Sequence, residues 1–161
     1  MDQPSLTGDQ LIYEAEIYFT GVVDYGVSMV DLTSGKAAVP PAGARFDQTF
    51  EGVLHGPVLK GTISGTDYLL VRADGLFHLH LHARVTTDDG TNIAMSSEGV
   101  SIPVEGRERV QLRAAVSLLT ASETYDWLNR QRLWAVGTLD PLRGQALVKA
   151  YAACGLSPVC C

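Results

Sequence analysis

Apolar and polar residues alternate along most of this chain. Leu11, Tyr13, Ala15, Ile17 and Phe19 interleave with Glu14, Glu16 and Tyr18. Phe46, Gln48, Phe50 and Gly52 interleave with Asp47, Thr49 and Glu51. Phe77, Leu79, Leu81, Ala83 and Val85 do the same with His78, His80, His82 and Arg84. Val110, Leu112, Ala114, Val116 and Leu118 follow suit with Arg109, Gln111, Arg113 and Ser117. A period of two sends successive side chains to opposite faces of a strand. Asp74-Gly75 and Asp89-Gly90 are pairs that accept the positive φ of tight hairpins. Ser64-Gly65-Thr66 and Glu105-Gly106 read as further turns. Strands recur about every 8–12 residues, the rhythm of barrels and sandwiches. Long helical periodicity is absent, which argues against a parallel βαβ sheet.

One short helix is predicted. Thr120-Ala121-Ser122-Glu123 has the spacing of a capping box, and Tyr125, Leu128 and Leu133 follow at helical intervals. This reading gives two helical turns, a strand from Arg132 to Thr138, and a last strand from Ala146 to Tyr151. The segment Ser34 to Ala44 holds Pro40-Pro41 and Gly43, which bars regular structure. The 161 residues read as one domain, 1–161, with an ordered core over 10–152 and a tail at 153–161. Two long open edges would invite aggregation, and closure removes them. The expected fold is therefore all-β, an antiparallel β-barrel-like domain with one short helix; a two-sheet β-sandwich is the alternative.

Charge narrows the partners. A net charge of -6 leaves little to gain from counterion release, so nucleic acid is excluded as an expected partner. Anionic membrane surfaces would repel the chain, and no apolar run approaches the ~18 residues of a membrane span. Met1-Asp2-Gln3-Pro4-Ser5 lacks the regions of a signal peptide, so a cytoplasmic location is expected. Cys154, Cys160 and Cys161 all lie in the last eight residues. They cannot tie distant segments together, and they lack the paired spacing of a zinc site.

Several segments resemble the domain-of-unknown-function family 3237. Pro40-Pro41-Ala42-Gly43-Ala44-Arg45-Phe46-Asp47 is similar to its proline- and glycine-marked entry. Phe50-Glu51-Gly52, Gly56-Pro57 and Gly61 follow. Asp67-Tyr68-Leu69, Val71-Arg72-Ala73-Asp74-Gly75, Thr87-Asp88-Asp89-Gly90 and Tyr125-Asp126-Trp127-Leu128-Asn129 complete the likeness, from about Tyr13 to Tyr151. The resemblance implies a β-barrel-like fold, commonly oligomeric. Many members carry aspartate and arginine where this chain has His80 and His82, so no catalytic role carries over to those positions. A histidine-bearing branch is closer.

Three of the four histidines share one strand face at His78, His80 and His82. Ordinary wet faces use Thr, Lys and Glu. Successive imidazoles sit about 6.8 Å apart, so the three span about 13.6 Å and cannot all reach one ion through bonds of about 2.1 Å. At most two could ligate, with His55, Glu51 or Glu98 as further donors, and no metal is expected. Neither a Gly-x-Gly-x-x-Gly or phosphate loop nor a Gly-x-Ser-x-Gly elbow occurs, so no cofactor is expected. Histidine transfers protons at neutral pH, and arginine steadies developing negative charge.

The leading expectation is an enzyme running acid–base chemistry of the isomerase, dehydratase or cyclase type. Its substrate would be a carbonyl-bearing or aromatic molecule in a barrel pocket. His80, His82, Arg72 and Arg84 are the catalytic candidates. His78, Asp67, Tyr68, Trp127 and Glu51 are the substrate-binding candidates. A non-catalytic small-ligand carrier and an oligomerisation module are the alternatives, and a homodimer is expected.

Overall fold

The computed structural model describes residues 9–103 and 109–153. Eight strands account for most of them: β1 (Gln10–Asp24), β2 (Ala44–His55), β3 (Gly61–Val71), β4 (Phe77–Thr87), β5 (Asn92–Pro103), β6 (Val110–Leu119), β7 (Arg132–Asp140) and β8 (Gln145–Ala152). Each pairs antiparallel with the next, and β8 pairs back to β1, closing a barrel. The barrel expectation holds, and the sandwich alternative falls.

The period-two pattern decides which side chains fill the interior. On β4, Leu79 and Val85 are buried while His82 and Arg84 are exposed. Two apolar clusters result. One gathers Ile12, Phe50, Leu54, Ile63, Val85, Val116 and Leu133. It is capped by Leu128, fully buried, with Tyr125 and Trp127 packed beside it. The other holds Ala44, Phe46, Leu69, Val71 and Leu79. Val27, Met29, Leu32 and Val39 of the long β1–β2 connection cover it. That connection contains a helix the alternation did not signal, α1 (Met29–Thr33), started by Ser28 Oγ accepting the Asp31 N–H at 3.3 Å. No described helix is long and apolar enough to cross a membrane.

Two sequence expectations are corrected. Ser64-Gly65-Thr66 is not a turn but the middle of β3. A Cβ on Gly65 would lie 2.2 Å from the His82 carbonyl oxygen, so glycine is there because the neighbouring strand approaches too closely for any side chain. Gly99 on β5 stands in the same relation to the Arg113 carbonyl, at 2.1 Å. The two-turn helix shrinks to one 3-10 turn, Asp126–Arg130, with no side-chain cap. Thr120 is occupied otherwise: its Oγ1 donates to the Asn92 carbonyl, and Asn129 brackets its backbone from both sides. Leu133 belongs to β7. The Glu105-Gly106 turn and the three cysteines lie outside the described residues.

Candidate functional site

The histidines of β4 point away from the barrel interior, because Leu79, Leu81, Ala83 and Val85 occupy the inward positions. This corrects the expectation of a pocket inside the barrel. The imidazoles stand on the outer wall, where neighbouring strands bring them partners.

Glu98 comes from β5, directly across the ladder from His80. Its Oε1 lies 3.3 Å from His80 Nδ1. The other nitrogen of the same ring, Nε2, lies 3.2 Å from His82 Nε2. The three side chains form one chain, carboxylate to imidazole to imidazole. They border a cleft of about 210 Å³ with Ser96, Ser117 and Arg132. The Tyr68 ring meets His82 edge-on, 6.2 Å between centroids. Beyond it, Arg45 lies over the rings of both Tyr68 and Tyr25, at 5.2 and 5.7 Å. Arg45 also pairs with Asp47 at 3.1 Å. Tyr25 donates its hydroxyl to Asp47 at 2.6 Å, and that hydrogen bond holds its pKa above the ordinary phenol value.

Asp67 faces the other way. It is only 5% exposed, inside the barrel, and its Oδ1 accepts the backbone N–H of His80 at 3.0 Å. Burial pushes its carboxyl up to about 6, against the opposing pull of the His80 amide and of the nearby histidines.

The remaining candidates are scattered. Arg72 pairs with Asp74 at 2.7 Å in the β3–β4 turn, so it serves that turn, and it does not border the cleft of His80 and His82. Arg84 is exposed on the same face as His82, across the ladders from Ser64 and Ala94. His78 lies opposite Leu70 and Val100, outside the cleft. Glu51 sits on β2 between Tyr18 and Ser64, away from β4. Trp127 packs against the apolar core at the barrel's end. Among the described residues, no group of three or more His, Cys, Asp or Glu side chains is placed to hold a metal ion.

Glu98 was named only as a possible metal donor, and Arg132 was not among the candidate site residues. Glu98 was recoverable: β4 and β5 fold about Asp89, and counting nine residues either way from it lands on His80 and Glu98. Arg132 was not, because its approach depends on how β7 lies against β6 across a long connection.

A larger cleft of about 540 Å³ lies elsewhere on the outer wall, bordered by Glu14, His55, Arg113, Val136, Leu147 and Lys149. Its Lys149 and Glu14 neutralise each other at 3.5 Å. It offers more room but no linked acid–base groups.

The fold and the site define a closed antiparallel barrel with an acid–base chain on its outer wall. The chain belongs to the family described as "Protein of unknown function (DUF3237)", whose model matches residues 18–153. It is 36% identical over 109 residues to a protein of Penicillium herquei named hydroalkoxylation enzyme phnH. That match takes in 65% of this chain and 66% of the relative's length. Solved structures that share the fold include the following three. One is a protein of unknown function from Clostridium acetobutylicum (TM-score 0.73, 21% identity, covering 90% of this chain and 98% of that one). Another is a beta-barrel like protein from Acinetobacter baumannii (0.69, 22%, covering 94% and 98%). The third is an enzyme from Penicillium herquei (0.59, 23%, covering 95% and 98%).

Proposed function

We propose that this chain is a small-molecule enzyme that runs acid–base chemistry without a cofactor, with His80 and His82 as the proton-transfer groups and Glu98 as their orienting carboxylate. The observation that carries the reading is the linked pair of contacts, Glu98 to His80 and His80 to His82, at 3.3 and 3.2 Å. A carboxylate accepting from Nδ1–H fixes the tautomer of an imidazole and leaves Nε2 to accept. His82 then donates through its own Nε2–H, which leaves its Nδ1 lone pair as the base. Arg132 at the cleft rim is suited to steady negative charge on a substrate oxygen.

The named relative supports addition of an alcohol across a carbon–carbon double bond as the reaction type. In that step the hydroxyl oxygen bonds to one alkene carbon, the hydroxyl proton passes to the base, and the second carbon takes a proton from an acid. Nothing is oxidised or reduced, so acid–base groups suffice. The reverse is an elimination, and an intramolecular version is a cyclisation, in line with lyase or isomerase chemistry on an aromatic or carbonyl-bearing substrate. The test is a turnover screen on hydroxylated aromatic alkenes, preselected by thermal stabilisation of the folded protein. Wild-type turnover that survives unchanged in His80→Ala/His82→Ala overturns the reading.

A further inference from the structure

The hydrogen-bond ladder between β3 and β4 has a gap behind the histidines. Pairing runs from Gly61 opposite Thr87 to Asp67 opposite Leu81, and resumes only at Leu70 opposite His78. The two positions between, Tyr68 with His80 and Leu69 with Leu79, make no ladder pair. On the other side of β4 the ladder is continuous, with Leu79 opposite Gly99, His80 opposite Glu98 and Leu81 opposite Ser97. The His80 backbone is thus registered to β5 by regular pairing. On the β3 side its N–H is held by one group, the Asp67 carboxylate at 3.0 Å.

We propose that Asp67 is a positioning residue for the outer-wall relay: from inside the barrel it clamps the His80 amide through the ladder gap, and so sets the direction in which the His80 ring meets Glu98 and His82. The proposal rests on the reading of those histidines as the proton-transfer groups. A ladder carbonyl would satisfy the same N–H without burying a charge, and an ionised carboxylate in a dry interior opposes folding. That costly group stands at the gap behind His80. The His80 Cα is common to both faces of the strand. Its backbone leads inward to Asp67, and its side chain leads outward to the relay. A shift of the backbone therefore swings the ring away from two contacts that are already at 3.2 and 3.3 Å.

The experiment compares Asp67→Asn, which keeps an accepting oxygen, with Asp67→Leu, which does not. Amide hydrogen exchange at His80 and the ring nitrogen resonances of His80 and His82 are read by NMR, with no substrate needed. In Asp67→Leu the His80 amide should exchange at least about tenfold faster while Leu81 is unaffected. The ring resonances should lose their Glu98-bound signature. With a substrate in hand, kcat should fall about tenfold or more with KM nearly unchanged. Asp67→Asn should restore the ring resonances and turnover. A folded Asp67→Leu with wild-type ring resonances overturns the proposal. Should Asp67→Leu fail to fold, wild type alone decides: a His80 amide that exchanges at the rate of an unstructured peptide overturns it, and a protected one supports it. The two readings separate cleanly. Ring resonances that respond to Asp67 while His80→Ala keeps full turnover support the clamp and sink the catalytic role of the relay.

Discussion

His80 uses both ring nitrogens, one toward Glu98 and one toward His82. Its contact with His82 needs one N–H and one lone pair. The side chains are on the surface, so their removal should not disturb packing. His80→Ala and His82→Ala should each change unfolding free energy by no more than about 0.5 kcal/mol in urea titrations. Each should lower turnover by about 10²–10⁴-fold. Asp67 behaves oppositely. Its carboxyl is raised from 3.8 to about 6 by burial, so the folded state holds its proton more tightly than the unfolded state. The stability this confers is complete below about 3.8 and is lost as pH rises through about 6. Asp67→Asn should match wild type near pH 4 and exceed it by about 2–3 kcal/mol at pH 7, given roughly 1.4 kcal/mol per pKa unit. Equal stabilities at both pH values would show that Asp67 is not buried as a charge.

Strands and their glycines set the next scale. Gly65→Ala would drive a methyl into the His82 carbonyl, at 2.2 Å, with backbone on both sides of the clash. Its cost should be about 3 kcal/mol or more, by the rule for overpacked positions that cannot relax. Gly90→Ala meets open space at a φ of +87°, so only left-handed strain remains, about 1–2 kcal/mol. Urea titrations of the two variants check the order. The same glycine shows where the sequence misleads. Ser64-Gly65-Thr66 carries turn-like residues, yet the glycine serves a close approach between strands that no local pattern encodes. Strand faces were legible because burial obeys the period of two, as in Phe77 to Val85. The Asp88-Asp89-Gly90 hairpin was legible from its chemistry. Alternation puts side chains on faces but does not say which face is the inside of a closed sheet. So the histidine cluster was found and its side of the wall was not. Residues joined through long connections, such as Arg132, follow from topology alone.

At the scale of the whole molecule, the outer wall is unevenly apolar. Trp134 and Val136 on β7, Leu147 on β8, Tyr18 on β1 and Val53 on β2 are all exposed, and their strands are neighbours. Glu14 and Lys149 lie among them as a mutually neutralised pair. Exposed apolar surface ringed by charge is typical of contact sites between proteins, and it is the surface on which the expected homodimer would form. Light scattering coupled to size exclusion should give a dimer for wild type and a monomer for Val136→Arg/Leu147→Arg. A wild-type monomer at every concentration would overturn the expected homodimer. Because neither Val136 nor Leu147 borders the His80 cleft, the double variant should keep its turnover.

Seven of the eight strand pairings join neighbours in sequence, and the eighth brings Gln10 to Ala152. Loop-closure entropy grows with the logarithm of length, so this last junction costs roughly 2 kcal/mol more to form than a ten-residue hairpin. The chain should therefore pass through a curled, unclosed sheet, and the β1–β8 junction should zip last. Its position is an accident of where the chain starts. A circular permutant that links Gln10 to Ala152 and opens at Asp89–Gly90 should reach the same barrel with a similar midpoint in urea. In that permutant the final junction would lie between β4 and β5, and His80 would meet Glu98 only in the last step of folding. Stopped-flow refolding should then show the relay assembling early in the natural order and late in the permuted one.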